Sequence, residues 1–182
     1  MTSSDIGAGI TSAAPTAEQI AAAEALAFDQ LNALDIPHER MECDPDFADT
    51  EQFCAHYGID PAASGNTIIV GSRKEPRQFS AACVTALQRL DVNKTVRKLM
   101  GVRKLSFASA EDTTALTNML IGGVTLFGLP DDLPKYIDPT MLDRDEVVIG
   151  GGSRSCKIRL DPSCLTRIPN LEVVEGIALP RD

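Results

Sequence analysis

The chain has 182 residues, 43% of them hydrophobic and 24% charged, with a net charge of −9. A chain of this length buries roughly 70% of its unfolded surface without help from disulfides or metals, and its ordinary composition excludes wholesale disorder; the absence of a Gly-X-Y or longer period excludes fibrous and solenoid architectures. Aromatics make up only 4% and Trp is absent, which disfavours a surface that stacks successive bases, and the acidic balance disfavours general affinity for DNA or long RNA.

The first fifteen residues, MTSSDIGAGITSAAP, are small and polar without a basic leader. They read as a disordered tail (1–15), leaving 16–182 as a single domain. Thr16 can cap a helix running to about Leu34, with Ile20, Ala23, Leu26, Ala27 and Leu31 near helical spacing and Pro37 beyond its end. A short strand over His38–Cys43 follows. Asp49 or Thr50 opens a second helix carrying Phe53, Cys54 and Tyr57, closed by Gly58.

Thr67–Val70 reads as a buried strand and Gly71–Arg77 as a basic turn. Phe79–Leu87 is rich in alanine, but its place after a turn favours a hairpin strand. Asp91 caps a basic helix to Met100, ended by Gly101. Leu105–Ala108 is a strand, and Ser109 with Asp112 opens another short helix. Gly122–Pro130 is a glycine-containing loop. Tyr136–Ile137, Val147–Ile149, Lys157–Leu160 and, last, Leu171–Val174 read as strands, with a helical turn opening at Pro162. Helices and strands mix without strict βαβ alternation, which predicts an α/β or α+β domain on a mixed sheet.

The charge is uneven. Residues 1–60 hold twelve acids and one base, Arg40, whereas residues 71–104 hold nine bases and two acids. Lys94, Arg97 and Lys98 share one helical face; this is either a solvated face or a patch that tracks RNA phosphates. The five cysteines, Cys43, Cys54, Cys83, Cys156 and Cys164, form no C-x-x-C pair. With no signal peptide evident, reduced thiols and a cytoplasmic protein are expected. The two histidines, His38 and His56, have no metal-ligand partner at suitable spacing, so no metal or other cofactor is predicted. No apolar run of 18 residues exists, so no membrane span is expected.

Two glycine clusters can carry chemistry. In Ile121–Pro130, glycines at 122, 123 and 128 permit close backbone approach, and their N–H groups can hold a carbonyl oxygen as it gains charge. A tight strand connection explains the same pattern. Gly150-Gly151-Gly152-Ser153-Arg154 is either an anion-binding nest or a hairpin turn.

Taken in order, these segments resemble the YbaK/ProX-type aminoacyl-tRNA deacylases, the domain also inserted in bacterial prolyl-tRNA synthetases. The resemblance runs from about residue 17 to 178. It rests on Asp35-Ile36-Pro37-His38-Glu39, Thr67–Val70, Asp91–Gly101 leading into Lys104–Ser109, Gly122–Pro130, Tyr136-Ile137-Asp138 and Val147–Ser153. It implies a mixed, partly barrel-like β-sheet with flanking helices. It also implies a pocket that takes the aminoacyl end of a mischarged tRNA and cleaves the ester, without a cofactor. Such a second hydrolytic site answers a physical need, since small side-chain differences supply only about 1–3 kcal/mol at a first site.

On that resemblance Gly122, Gly123 and Gly128 hold the scissile carbonyl. Asn66 and Thr125 orient substrate, and Phe127 shapes the amino-acid pocket unless it belongs to the core. Gly150, Gly151, Gly152 and Ser153 line the site, and Lys94, Arg97 and Lys98 meet the tRNA acceptor end weakly and with strong salt dependence. A synthetase is a further candidate partner, and whether one docks on the acidic N-terminal region stays open. One departure matters: the family typically carries a functional lysine where this chain has Asn66, and an amide is a neutral donor where an ammonium is a charge. Lys74 or Lys94 is a candidate to reach in from elsewhere. Leu126 also stands where the family often has proline. Asn66 therefore keeps a second reading open, a non-catalytic binding module on the same fold; a partner-binding protein with an idle pocket ranks third.

Overall fold

The structure is a computed structural model and describes residues 13–181. Residues 1–12 of the expected tail lie outside the described residues. Helix α1 (Ala17–Ala33) starts at a reciprocal capping box, in which Thr16 Oγ1 accepts from Gln19 N and Gln19 Oε1 accepts from Thr16 N. Ala23, Ala27 and Leu31, each four residues apart, form its buried stripe. Glu24 is buried beside them. It accepts from Arg40 Nη1 at 2.8 Å and from the Ser153 hydroxyl.

Strand β1 (His38–Glu42) is antiparallel to β8 (Cys156–Leu160), which forms a hairpin with β7 (Val147–Gly150). A second sheet has the order β5 (Leu105–Phe107), β2 (Gly65–Ser72), β3 (Phe79–Thr85), β6 (Lys135–Ile137), β9 (Leu171–Val173). Its long antiparallel ladder joins β2 to β3. On one side β5 pairs antiparallel with β2, and on the other β6 and β9 add in parallel. A parallel bridge between Ser64 and Val148 ties the sheets together without closing a barrel. Phe127, Ile137, Ile149, Ile158 and Leu165 fill the main core between sheets and α1. Helix α2 (Thr50–Tyr57) covers a smaller cluster of Cys43, Ala48, Phe53, Cys54 and Val148.

The mixed sheet and the hairpin strand at 79–85 match the expectation. Three details differ. The basic helix begins as a wide turn over Val92–Val96, with Asp91 Oδ2 accepting from Thr95 N, before α3 (Arg97–Leu99). Leu171–Val173 is not the last strand: β10 (Ala178–Pro180) pairs with β4 (Gln88–Leu90). Both are three-residue edges that their sequence does not distinguish from loop. Finally, Asp49 precedes α2 but its side chain does not cap it, because the carboxylate bonds Arg154 instead.

All five cysteines are free and buried. Cys83 packs in the core, where burial pushes its thiol up to about 12. A fourth helix, α4 (Ala110–Thr117), is capped by Ser109 as expected, its hydroxyl accepting from Asp112 N at 3.0 Å. Among the described residues no helix is long and apolar enough to cross a membrane.

The Glu24 carboxyl is raised by burial, but hydrogen bonds from Ser153 and Arg40 outweigh that and hold it below its ordinary value. A carboxyl depressed on folding contributes stability above its unfolded pKa, near 4.5, and loses it as pH falls through the folded value. Glu24→Gln is expected to cost about 2 kcal/mol at pH 7, less than a fully buried broken pair because Arg40 keeps 39% of its side chain in water. Urea unfolding at pH 7 and pH 3.5 checks this: the gap between variant and wild type should narrow at the lower pH.

Candidate functional site

The principal site is a gap in the sheet. Strand β5 pairs with β2 only over Val70–Ser72, and β7 bridges to the chain just ahead of β2, at Ser64. Between these points the edge of β2 is open and faces a cleft of about 360 Å³. Ile69 O accepts from Ala108 N at 2.9 Å, so odd-numbered residues of β2 turn their peptide groups away from β3. Thr67 is the next such residue, and its N–H and C=O face the gap. Asn66 and Ile68 line the same wall.

The opposite wall comes from both glycine clusters, which prove to be one unit. Leu120 N donates to Gly152 O, Gly152 N to Gly123 O, and Gly123 N to Leu120 O, at 2.7–2.9 Å. The last bond makes Leu120–Gly123 a β-turn with Gly122 at its third position, φ +89°. The inner amide of such a turn is unbonded, and among the described residues Gly122 N has no acceptor. Gly150 and Gly122 line the cleft. A Cβ on Gly150 would overlap the Gly123 and Val124 carbonyls, so the walls meet only because this position has no side chain.

Other expected site residues stand behind that wall. Gly123 donates within its own turn, and Gly128 donates to Gln30 Oε1 at 2.8 Å. The expectation that these two present free donors is corrected: their amides are spent on holding the loop against itself and against α1. Phe127 is fully buried in the core, which leaves the amino-acid pocket without its ring. Thr125 is fully buried too, with an unpartnered Oγ1, and does not line the cleft. Gly151 packs on the Cys156 sulfur and Gly152 on the α1 backbone at Ala23. Ser153 donates to Glu24 and accepts from Ser155 N.

Arg154 also departs from the nest expectation. Its guanidinium donates to Pro45 O at 3.0 and 2.7 Å and to Asp49 Oδ1 at 2.9 Å. It clamps the chain entering α2 and leaves little for an anion. Arg154 holds the Asp49 carboxyl below the usual carboxylate range.

Sequence reasoning missed Lys157. It sits on β8 opposite Gly150, is 7% exposed, and lines the cleft. Nζ donates to Ala48 O at 2.9 Å, lies 3.5 Å from Gly122 O, and rests 5.2 Å from the Phe53 ring centroid. Burial pushes its ammonium pKa down from the ordinary lysine value. The sequence gives only alternation: in Cys156-Lys-Ile-Arg-Leu160 it shares a strand face with Arg159, which reads as solvent-facing until α2 is placed over it. Lys74 and Lys94, the lysines expected to reach in, are exposed and do not line the cleft.

At the rim Phe107 and Ile121 are 62% and 47% exposed. Beyond Phe107 the β2–β5 ladder runs into a second groove of about 740 Å³, bordered by Arg73, Lys74, Arg103 and Lys104. Arg73 N donates to Lys104 O at 3.2 Å, which fixes the two basic pairs side by side. Lys94, Arg97 and Lys98 are exposed on the neighbouring helix, and Arg97 donates to Arg103 O at 3.3 Å. Arg77 is committed to Asp112 at 2.8 Å. Among the described residues no cluster of three His, Cys, Asp or Glu could hold a metal ion.

Comparison with known proteins agrees with this geometry. Residues 44–168 match the model of the aminoacyl-tRNA editing domain. The chain is 23% identical over 143 residues to EbsC of Enterococcus faecalis (strain ATCC 700802 / V583), described as a candidate Cys-tRNA(Pro)/Cys-tRNA(Cys) deacylase; the match covers 77% of this chain and 85% of the relative. Among solved structures it shares its fold with a hypothetical protein, APE2540 (TM-score 0.74, 20% identity, 85% of this chain and 99% of the other). It also shares it with a candidate trans-editing enzyme for prolyl-tRNA synthetase (TM-score 0.73, 21% identity, 88% and 98%). The matched span contains both cleft walls, Asn66 and Lys157, and the chain belongs to the aminoacyl-tRNA editing domain family.

Proposed function

We propose that this protein acts in trans, in the cytoplasm, hydrolysing the ester that joins an amino acid to the terminal ribose of a mischarged tRNA. The observation that carries this reading is the gap in the β2 edge. Unpaired peptide groups there face the Gly122 turn across a cleft of about 360 Å³, in a member of the editing family. Water attacks the ester carbonyl. The Gly122 N–H and the Thr67 peptide group are dipoles positioned to hold the carbonyl oxygen, and the Asn66 amide orients the substrate by hydrogen bonds. Phe107 at the rim offers a ring on which the terminal base can stack.

The basic groove supplies the phosphate contacts. It begins three residues from the Val70–Phe107 pair, roughly 10 Å along the strand. Four cations there make binding modest and salt-sensitive. Neutralising about four phosphates gives a log–log salt slope near −3, or roughly 60-fold weaker binding at 200 mM than at 50 mM salt. Replacing both Arg103 and Lys104 with serine should flatten the slope by about 1.5 while leaving single-turnover cleavage at saturating protein within threefold. An unchanged slope in a filter-binding titration would remove this groove from the RNA path.

The relative's description names Cys-tRNA, so a small amino acid heads the substrate panel. Ester cleavage is measured on tRNAs mischarged with cysteine, alanine and serine; rates at the spontaneous level for all of them would sink the hydrolase reading. The position of Asn66 favours one alternative, a module that binds the aminoacyl end without cleaving it.

A further inference from the structure

Two lysines of this chain are buried, and their donors are spent differently. Lys135 is fully buried and its ammonium donates to Pro130 O, Leu133 O and Pro169 O at 2.8, 3.0 and 3.1 Å. An ammonium has three donors, so this one is saturated and ties loops together. Lys157 makes one short bond, to Ala48 O, and a contact of 3.5 Å to Gly122 O, at the outer limit of a hydrogen bond. At least one donor is free. Opposite it on β7 stands Gly150, and both residues line the cleft.

The charge is also uncompensated locally. Asp49 borders the cleft, but its carboxylate is bonded to Arg154. The thiols of Cys43 and Cys156 flank Lys157, and burial pushes both up, Cys156 to about 12, so both are neutral near pH 7. The Asn66 amide and the peptide groups of β2 and the Gly122 turn are neutral. Asp49 and Arg154, the other charges beside the cleft, are paired with each other, so Lys157 is the cation left to meet a reaction that generates a full negative charge. In a site shielded from water an ammonium is worth far more to such a charge than in solution.

We propose that Lys157 is the catalytic cation of this cleft, its free N–H facing the ester carbonyl and its charge stabilising the oxyanion. The assignment rests on the ester-hydrolysis reading. Water oxygen adds to the carbonyl carbon and the π pair moves onto the carbonyl oxygen, which Lys157 faces. The pair then returns, the bond from the carbonyl carbon to the ribose oxygen breaks, and that oxygen leaves with a proton that came from the water. The products are the free amino acid and the uncharged tRNA, and Lys157 stays protonated throughout.

Lys157→Gln keeps an N–H donor, on a side chain one atom shorter, and removes the charge. The expected result is a kcat about 100-fold lower with KM within threefold. Asn66→Lys in that background should recover at least tenfold and clearly more than it adds to the wild type, because it returns a cation to a cleft that has lost one; a merely structural lysine predicts the same gain in both backgrounds. Wild-type protein that cleaves no mischarged tRNA removes the hydrolase reading itself. Wild-type cleavage with a folded Lys157→Gln protein at near-normal kcat overturns the assignment and leaves that reading intact. Should Lys157→Gln not fold, lysine-labelled wild type decides by NMR. An adenosine 3′-amide carrying the amino acid that the wild type cleaves best should move the Lys157 Cε signal, and an unmoved signal on saturation overturns the assignment.

Discussion

Gly123→Ala should lower stability by about 3 kcal/mol, a large effect for one methyl group. The space for that methyl is already occupied by the backbone of Ser153, and backbone cannot rotate aside as a side chain can. The two strands of chain must separate, and the bonds Leu120 N to Gly152 O and Gly152 N to Gly123 O go with them. For a protein of this size the loss corresponds to a melting point roughly 6–12 °C lower. Gly101→Ala is the control: φ is +63° there, but nothing lies within 4 Å of the new Cβ. That variant meets only the backbone penalty, about 1 kcal/mol. Similar melting points for the two variants would show that the glycine loops are not locked together.

Asn66→Ala is expected to reduce kcat/KM for a mischarged tRNA by roughly 10- to 100-fold, the loss of one or two hydrogen bonds to substrate. Asn66 lines the cleft from β2 and belongs to the open edge rather than the core, so melting should change little. The same residue separates the two functional readings. If the wild type binds an aminoacyl end without cleaving it, and Asn66→Lys gains cleavage, the chain is a binding module. If the wild type cleaves and Asn66→Ala does not, it is an enzyme. Binding and cleavage are measured on one set of samples, so loss of substrate affinity is not mistaken for loss of chemistry.

The fold was legible because its signals are local. Thr16 with Gln19, Gly58 and Ser109 mark helix ends through caps a reader can identify from a few residues. The run Thr67–Val70 is apolar enough to announce a buried strand. The three-residue edges β4 and β10 were not legible, since their pairing is set by a partner about ninety residues away. The site was half legible for the same reason. Glycines at 122 and 150 line the cleft, yet spacing does not tell them from 123, 128, 151 and 152, which pack against the chain behind it. That difference lies in which amide is already bonded. Lys157 was invisible because nothing near it in sequence says that α2 covers its strand face.

The interlocked glycine turns also set an order of events in time. Ser153 bonds Glu24 across 129 residues, and Gly152 packs on the same helix. During synthesis at roughly 5–20 residues per second, α1 waits on the order of 10 s for its partner. Until then neither the turn wall nor the lysine strand exists, while the β2–β3 hairpin, a near neighbour in sequence, can already form. The edge that later lines the cleft is thus exposed early and unguarded, and contacts this distant form slowly. The growing chain passes through a stage in which that edge is open to any extended peptide, and the arrival of residues 150–157 turns an adhesive strand into a cleft.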